Sequence, residues 1–187
     1  MQTAAFFPMA LSPSPNPTGV VVLPSPAGVG LIAVTRIKFP SGLSFKDFMN
    51  FNPKKDKAEA GVSIFQKDDN YINFTVFKNE EKIFIKTYAF QNDKIISVYE
   101  QEIVNYKGKI KLKISSEEGE YKFLYSTRGF RYRLFTKIKN DIVKSVGYTG
   151  AHIGLYATSN GDKSNDYADF DYIDYTSKDQ KLSENIK

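Results

Sequence analysis

Asp169 and Asp171 stand two residues apart in the run Ala168-Asp169-Phe170-Asp171-Tyr172-Ile173-Asp174-Tyr175. Side chains at i and i+2 of an extended strand point the same way. Two carboxylates facing together repel unless a cation or a lysine lies between them. A structural Ca²⁺ held by Asp169 and Asp171 is therefore a candidate, beside the simpler reading of a solvated or ion-paired aspartate pair. Just upstream, Asn160-Gly161-Asp162-Lys163-Ser164-Asn165-Asp166 sets oxygen-bearing side chains at alternate positions, faintly like a calcium loop. An EF-hand would need glutamate near position 173, where Ile173 stands, so that motif fails. His152 is the only histidine in the chain. One histidine builds no His-rich zinc site, and no Gly-x-Ser-x-Gly elbow exists for it to serve. It lies in an alternating run, out of phase with Ile153 and Leu155, as a sheet-face residue does.

Hydrolysis by paired-carboxylate acid–base chemistry needs two carboxyl groups flanking the reacting bond. The chain has 21 Asp and Glu residues, and their spacing selects no pair, so no catalytic residue is assigned. Tyr71, Tyr88 and Tyr125, with Tyr121, could line a sheet face and stack on the apolar C–H faces of sugar rings. The competing reading places these aromatics in the core. Tyr148 lies in Gly147-Tyr148-Thr149-Gly150, where flanking glycines let the backbone turn sharply and push the ring outward. Tyr148, with Thr149, is the candidate for contact with another domain; the competing reading packs the ring under its own loop.

The elements that must position these residues are strands. Lys109 to Ile114 reads Lys-Ile-Lys-Leu-Lys-Ile, a strict period of two with Ile110, Leu112 and Ile114 inward. Further strands are predicted over 60–65, 71–77, 82–90, 95–103, 120–125, 130–136, 152–157 and 168–175, separated by turns such as Ser116-Glu117-Glu118-Gly119. Spacings near ten residues predict an all-β fold, a two-sheet antiparallel sandwich or barrel. An aromatic content of 14% without tryptophan favours strands as well.

The 187 residues suffice for one core. The net charge of +5 permits an anionic partner without demanding one. Lys and Arg form no block of five or six, so no nucleic-acid partner is predicted. Zero cysteine excludes disulfides and Cys-based zinc sites, and fits the cytosol and a periplasmic or secreted location alike. Residues 1–36 carry no charge before Arg36 and hold prolines at 8, 13, 15, 17, 24 and 26. They are expected to form a disordered leader, too broken for a membrane span and without the basic start of a signal peptide. The sandwich is expected over 37–176, with a polar tail over 177–187.

Four segments carry a family resemblance. Glu59-Ala60-Gly61-Val62, followed by Gln66-Lys67-Asp68-Asp69-Asn70-Tyr71, opens the series. Tyr121-Lys122-Phe123-Leu124-Tyr125-Ser126, Gly147-Tyr148-Thr149-Gly150-Ala151-His152-Ile153-Gly154-Leu155-Tyr156-Ala157 and Ala168-Asp169-Phe170-Asp171-Tyr172 follow in order. Together they resemble the C-terminal concanavalin A-like jelly-roll domain of family 43 glycoside hydrolases, the β-xylosidase and α-L-arabinofuranosidase group. Where the family often has Asp-Gly-x-x-Trp, this chain has Arg128-Gly129-Phe130-Arg131-Tyr132, and Tyr148 stands where Phe is usual. The resemblance implies an accessory domain whose partner is a catalytic β-propeller carrying the carboxylates. It implies that the Tyr148 loop faces that propeller and helps close the sugar pocket. A chain of this size has no room for the propeller, so a fragment or separately encoded module is expected. The alternatives are a stand-alone oligosaccharide-binding, lectin-like module and an orphan sandwich without activity.

Overall fold

The computed structural model of the chain describes residues 19–22, 30–35, 43–67, 69–143, 151–162 and 164–176. It shows a two-sheet antiparallel β-sandwich. The strands are β1 (Gly19–Val22), β2 (Gly30–Thr35), β3 (Leu43–Phe51), β4 (Glu59–Lys67), β5 (Asn70–Asn79) and β6 (Lys82–Gln91). They continue with β7 (Lys94–Glu102), β8 (Lys109–Glu117), β9 (Glu120–Ser126), β10 (Arg133–Lys139), β11 (His152–Thr158) and β12 (Tyr167–Thr176). One six-stranded sheet runs β1-β12-β3-β8-β9-β10 and the other β2-β11-β4-β5-β6-β7. Each sheet contains a meander, β8-β9-β10 in the first and β4-β5-β6-β7 in the second. The return strands β11 and β12 then insert between early strands of opposite sheets, which gives the jelly-roll crossing.

Local chemistry explains the hairpins. Gln91 pairs with Lys94 and Glu117 with Glu120, leaving two-residue loops. Asn92 and Asp93 (φ 51° and 61°) and Glu118 and Gly119 (φ 51° and 83°) occupy those loops. Positive φ at both central positions is what a type I′ turn requires, and its twist matches that of the strands. The crossing from β7 to β8 is pinned by the Tyr106 hydroxyl, which donates to the Phe51 carbonyl at 2.8 Å.

Two strands fall inside residues 1–36, the stretch expected to be a disordered leader. β1 pairs with β12, and β2 pairs with β11. Their short Val-rich and Leu-Ile-Val runs lie between the prolines, and the strands are defined by the sheet edges they join rather than by alternation of their own. β3 is a third strand the alternation does not announce. Its inward positions are Phe45, Asp47, Met49 and Phe51, all buried, and the acid at Asp47 breaks the apolar pattern. The strand expected over 130–136 starts three residues later, at Arg133. Gly129 adopts φ 68° and Phe130 to Tyr132 form a loop instead. The 177–187 tail lies outside the described residues.

The core lies between the sheets, from Met49, Phe51, Ile110, Leu112 and Phe123 on one side to Ile64, Ile72, Phe74 and Ile85 on the other. Phe74 meets Phe123 edge-on at 5.3 Å and stacks on Phe135 at 5.9 Å between centroids. Gly61 permits the close approach of β4 and β5: a Cβ there would lie 2.1 Å from the Phe74 carbonyl oxygen. Gly61→Ala is expected to cost about 1–3 kcal/mol through forced strand separation. Urea denaturation checks this, and an unchanged midpoint would show that the strands have slack.

Candidate functional site

The outer face of the second sheet carries a polar network framed by aromatic rings. Period-two alternation turns Glu59, Gly61, Ser63 and Phe65 of β4 outward while Ala60, Val62 and Ile64 enter the core. Register then aligns rows across strands: Tyr156, Gly61, Thr75 and Lys86 form one, and Ser63, Asn73 and Tyr88 another. Glu59 is only 2% exposed, so its charge must be met inside the face. It is met on both oxygens. Oε2 accepts from the Lys86 ammonium at 2.8 Å and from Thr75 Oγ1 at 3.2 Å. Oε1 accepts from the Tyr88 and Tyr156 hydroxyls, both at 3.3 Å. Asn73 donates through Nδ2 to Tyr88 at 2.7 Å.

Lys86 is held from two further sides. Its ammonium sits 4.5 Å from the Phe77 ring centroid and 4.9 Å from that of Tyr88, a cation–π arrangement. Burial, and next the Glu59 charge, raises the Tyr88 and Tyr156 phenols far above their ordinary value. Both phenols therefore stay protonated and act as donors. With four donors on its two oxygens, Glu59 is a fixed positioning group rather than a free base. The arrangement fixes Tyr88 and Tyr156 on this face through their hydroxyls.

At one end of this face, His152, Phe65, Tyr71 and Phe90 form a row across β11, β4, β5 and β6. Tyr71 stacks on Phe90 at 5.0 Å and meets Tyr88 edge-on at 6.2 Å. Tyr71 and Tyr88 are thus brought together on one half-buried surface. Tyr125 is not among them. It belongs to the other sheet, is 6% exposed and packs edge-on to Phe135 in the core; Tyr121 is likewise a core residue. Alternation alone does not say which of two aromatic sets faces inward. Lys86 lies in no motif that marks it; Glu59 and Tyr156 stand in two of the family-like segments, and an acid beside the buried Ala60 and Val62 is a signal in retrospect. Tyr148 and Thr149 lie outside the described residues.

Asp169 and Asp171 do not share a face by simple alternation. Phe170 pairs with Met49 and Tyr172 with Phe48, so Asp171 is the extra residue of a bulge. The outward set changes there from Asp169 to Tyr172 and Asp174. Asp166, in the loop read as faintly calcium-like, accepts from the Lys54 and Lys55 amides at 3.0 Å each. Asn160 Nδ2 donates to the Lys57 carbonyl at 2.7 Å. These groups tie two loops together. Among the described residues, no group of three or more His, Asp or Glu side chains is placed to hold a metal ion. No helix among them is long and apolar enough to cross a membrane.

Residues 43–176 match the family defined as the β-xylosidase C-terminal concanavalin A-like domain. A non-reducing end α-L-arabinofuranosidase of Bacteroides ovatus is 28% identical over 129 residues, which cover 68% of this chain and 24% of the relative. A xylosidase/arabinosidase of Butyrivibrio fibrisolvens is 25% identical over 139 residues, covering 67% of this chain and 24% of the relative. The chain thus spans about a quarter of the length of these curated relatives. Among solved structures, the Bacteroides ovatus xyloglucan PUL GH43B superposes with a TM-score of 0.64 at 25% identity, over 73% of this chain and 27% of that one.

Proposed function

The chain belongs to the β-xylosidase C-terminal concanavalin A-like domain family, and from that premise we propose that it serves a glycosidase acting on xylo-oligosaccharides or arabinose side chains of hemicellulose. In this reading it packs against a catalytic β-propeller and shapes its sugar pocket, and supplies no catalytic carboxylate itself. The observation that carries the reading is the unbroken match over 43–176, which takes in β3 to β12. The site geometry supports it. The row His152, Phe65, Tyr71 and Phe90 lies at the start of β11, directly after the segment holding Tyr148 and Thr149. An aromatic row next in the chain to that segment suits a docking surface for the propeller, and Tyr148 is the residue proposed to help close the sugar pocket. The saturated Glu59 stiffens this face and takes no part in bond cleavage.

A chimera tests the reading. Residues 43–176 are exchanged for the matching part of the Bacteroides ovatus arabinofuranosidase. The chimera is expected to hydrolyse p-nitrophenyl arabinofuranoside, a version lacking the domain to lose most activity, and the chain alone to show none. Tyr148→Ala in the chimera is expected to lower turnover while its melting temperature holds. Turnover by the purified chain, abolished by a single carboxylate substitution, would overturn the reading.

A further inference from the structure

The outer face of the first sheet has an imbalance of charge that its own fold does not resolve. β8 points Lys109, Lys111 and Lys113 outward, about 7 Å apart along the strand. Four other strand lysines meet carboxylates on a neighbouring strand: Lys46 with Asp174, Lys82 with Glu102, Lys122 with Glu117, Lys137 with Glu120. The three β8 lysines have no ion-pair partner among the described residues. Their cross-strand neighbours are Asn50, Phe48 and Lys46 on β3, and Ser126 and Leu124 beside Lys111 and Lys113 on β9. Lys46 stands directly opposite Lys113, a like-charge pairing that is unfavourable in a sheet. Asp169, on the same face, lies two strands away across Asn50.

In place of carboxylates, aromatic rings cover two of these cations. The loop after β9 folds back over the face. It sets Phe130 at 4.6 Å from the Lys111 ammonium and Tyr132 at 5.7 Å from that of Lys113. Lys111 also donates to the Gly129 carbonyl at 3.2 Å, which leaves two of its N–H bonds unassigned. Phe130 is 90% exposed, so one face of its ring is open to solvent. Leu134 and Tyr172, stacked on Phe48 at 6.2 Å, extend the apolar surface. Open apolar area beside uncompensated positive charge marks a contact surface.

We propose that this face binds an anionic polysaccharide, with a pyranose ring stacked on Phe130 and uronate carboxylates on Lys109, Lys111 and Lys113. Charge complementarity selects a polyanion, and each exposed ion pair is weak alone. Affinity therefore comes from repeated contacts along a polymer. A single ring with an open face suits one sugar better than a run of stacked bases, which needs successive platforms. The choice of polysaccharide over nucleic acid leans on the family reading; the binding of a polyanion does not.

The full chain is run by affinity electrophoresis through gels holding glucuronoxylan, the same polymer with its carboxyls reduced to alcohols, or poly(dT). Retardation by glucuronoxylan, lost on carboxyl reduction and in about 0.5 M NaCl, is expected. K111Q/K113Q is expected to weaken it about tenfold, and F130A to weaken it with little change in salt dependence. Both variants change exposed or half-exposed groups, and circular dichroism melting checks that they fold. Equal retardation by the reduced polymer, no retardation at all, or stronger retardation by poly(dT) would each overturn the proposal. No catalytic domain is present in this assay, so its failure is distinct from failure of the chimera.

Discussion

Glu59→Ala is expected to lower the stability of the chain by about 3–5 kcal/mol, the usual cost of breaking a buried ion pair from one side. For a chain of this size that is a fall in melting temperature of roughly 6–20 °C. The carboxylate is 2% exposed and accepts from Lys86, Thr75, Tyr88 and Tyr156. Its removal leaves an ammonium enclosed by the Phe77 and Tyr88 rings and takes from the Thr75, Tyr88 and Tyr156 hydroxyls their carboxylate acceptor. Lost donors with no replacement cost more than the bonds themselves contributed. The paired variant Glu59→Leu with Lys86→Met removes both charges and is expected to recover much of the loss, since the desolvation penalty goes with them. Thermal unfolding of the three proteins decides the matter. A melting temperature within about 2 °C of the parent for Glu59→Ala would mean that water, not the network, holds Lys86. The phenols give an independent readout. Burial is the larger cause of the raised Tyr88 and Tyr156 values and Glu59 the next. Ultraviolet titration of Glu59→Ala should show them lowered but still above the ordinary value.

Asp47→Leu is expected to stabilise the chain by about 1–4 kcal/mol at neutral pH, as replacing buried charged groups by well-packed apolar ones can do. Asp47 is fully buried, lies between Phe45 and Met49 on its strand and faces Leu112 and Ile173 across it. Neither of its side-chain oxygens has a hydrogen-bond partner within 3.5 Å among the described residues. Burial holds its carboxyl well above the ordinary range, opposed by the neighbouring Phe48 amide. A raised pKa means that the folded state keeps a proton the unfolded state has released. The stability tied to Asp47 is therefore complete below the unfolded value, near pH 3.9. It is lost as pH rises through the folded value. That slope is opposite to the one a carboxylate of lowered pKa gives, so the readout is the difference between parent and variant. Asp47→Leu should gain most at high pH and least near pH 4. A gain that does not vary with pH, or a loss of stability, would show that the carboxyl has a partner or that leucine does not fit.

The two substitutions concern residues of one type of chemistry with opposite surroundings. Glu59 faces outward yet is buried and saturated; Asp47 faces inward, where no side chain among the described residues hydrogen-bonds to it. The difference comes from the strands beside them. β5, β6 and β11 bring Thr75, Lys86, Tyr88 and Tyr156 to Glu59 from positions as much as 97 residues away in the chain. β8 and β12 bring Leu112 and Ile173 to Asp47.

Strand content, hairpin turns and family were legible in the residues themselves. Lys109 to Ile114 alternates so strictly that only a half-buried strand fits it. Glycine at position 119 allows the left-handed turn that folds β9 back on β8, and the family shows in four segments whose order and spacing need no coordinates. Those are local properties, carried within five to fifteen residues. The site was not local. Tyr71 and Tyr88 share an outer face while Tyr125 enters the core, although all three sit in similar alternating runs. A period of two defines two faces but not which one meets the other sheet. A single extra residue at Asp171 reverses the phase of β12, which its alternation does not announce. Phe130 to Tyr132 read as the start of a strand, but after Gly129 they form a loop over Lys111 and Lys113. β1 and β2 exist because β12 and β11 offer them an edge. Alternation along one strand determined what each segment could be; pairing between distant strands decided which side chains met, because hydrogen-bond register and bulges are set only when the second strand is in place.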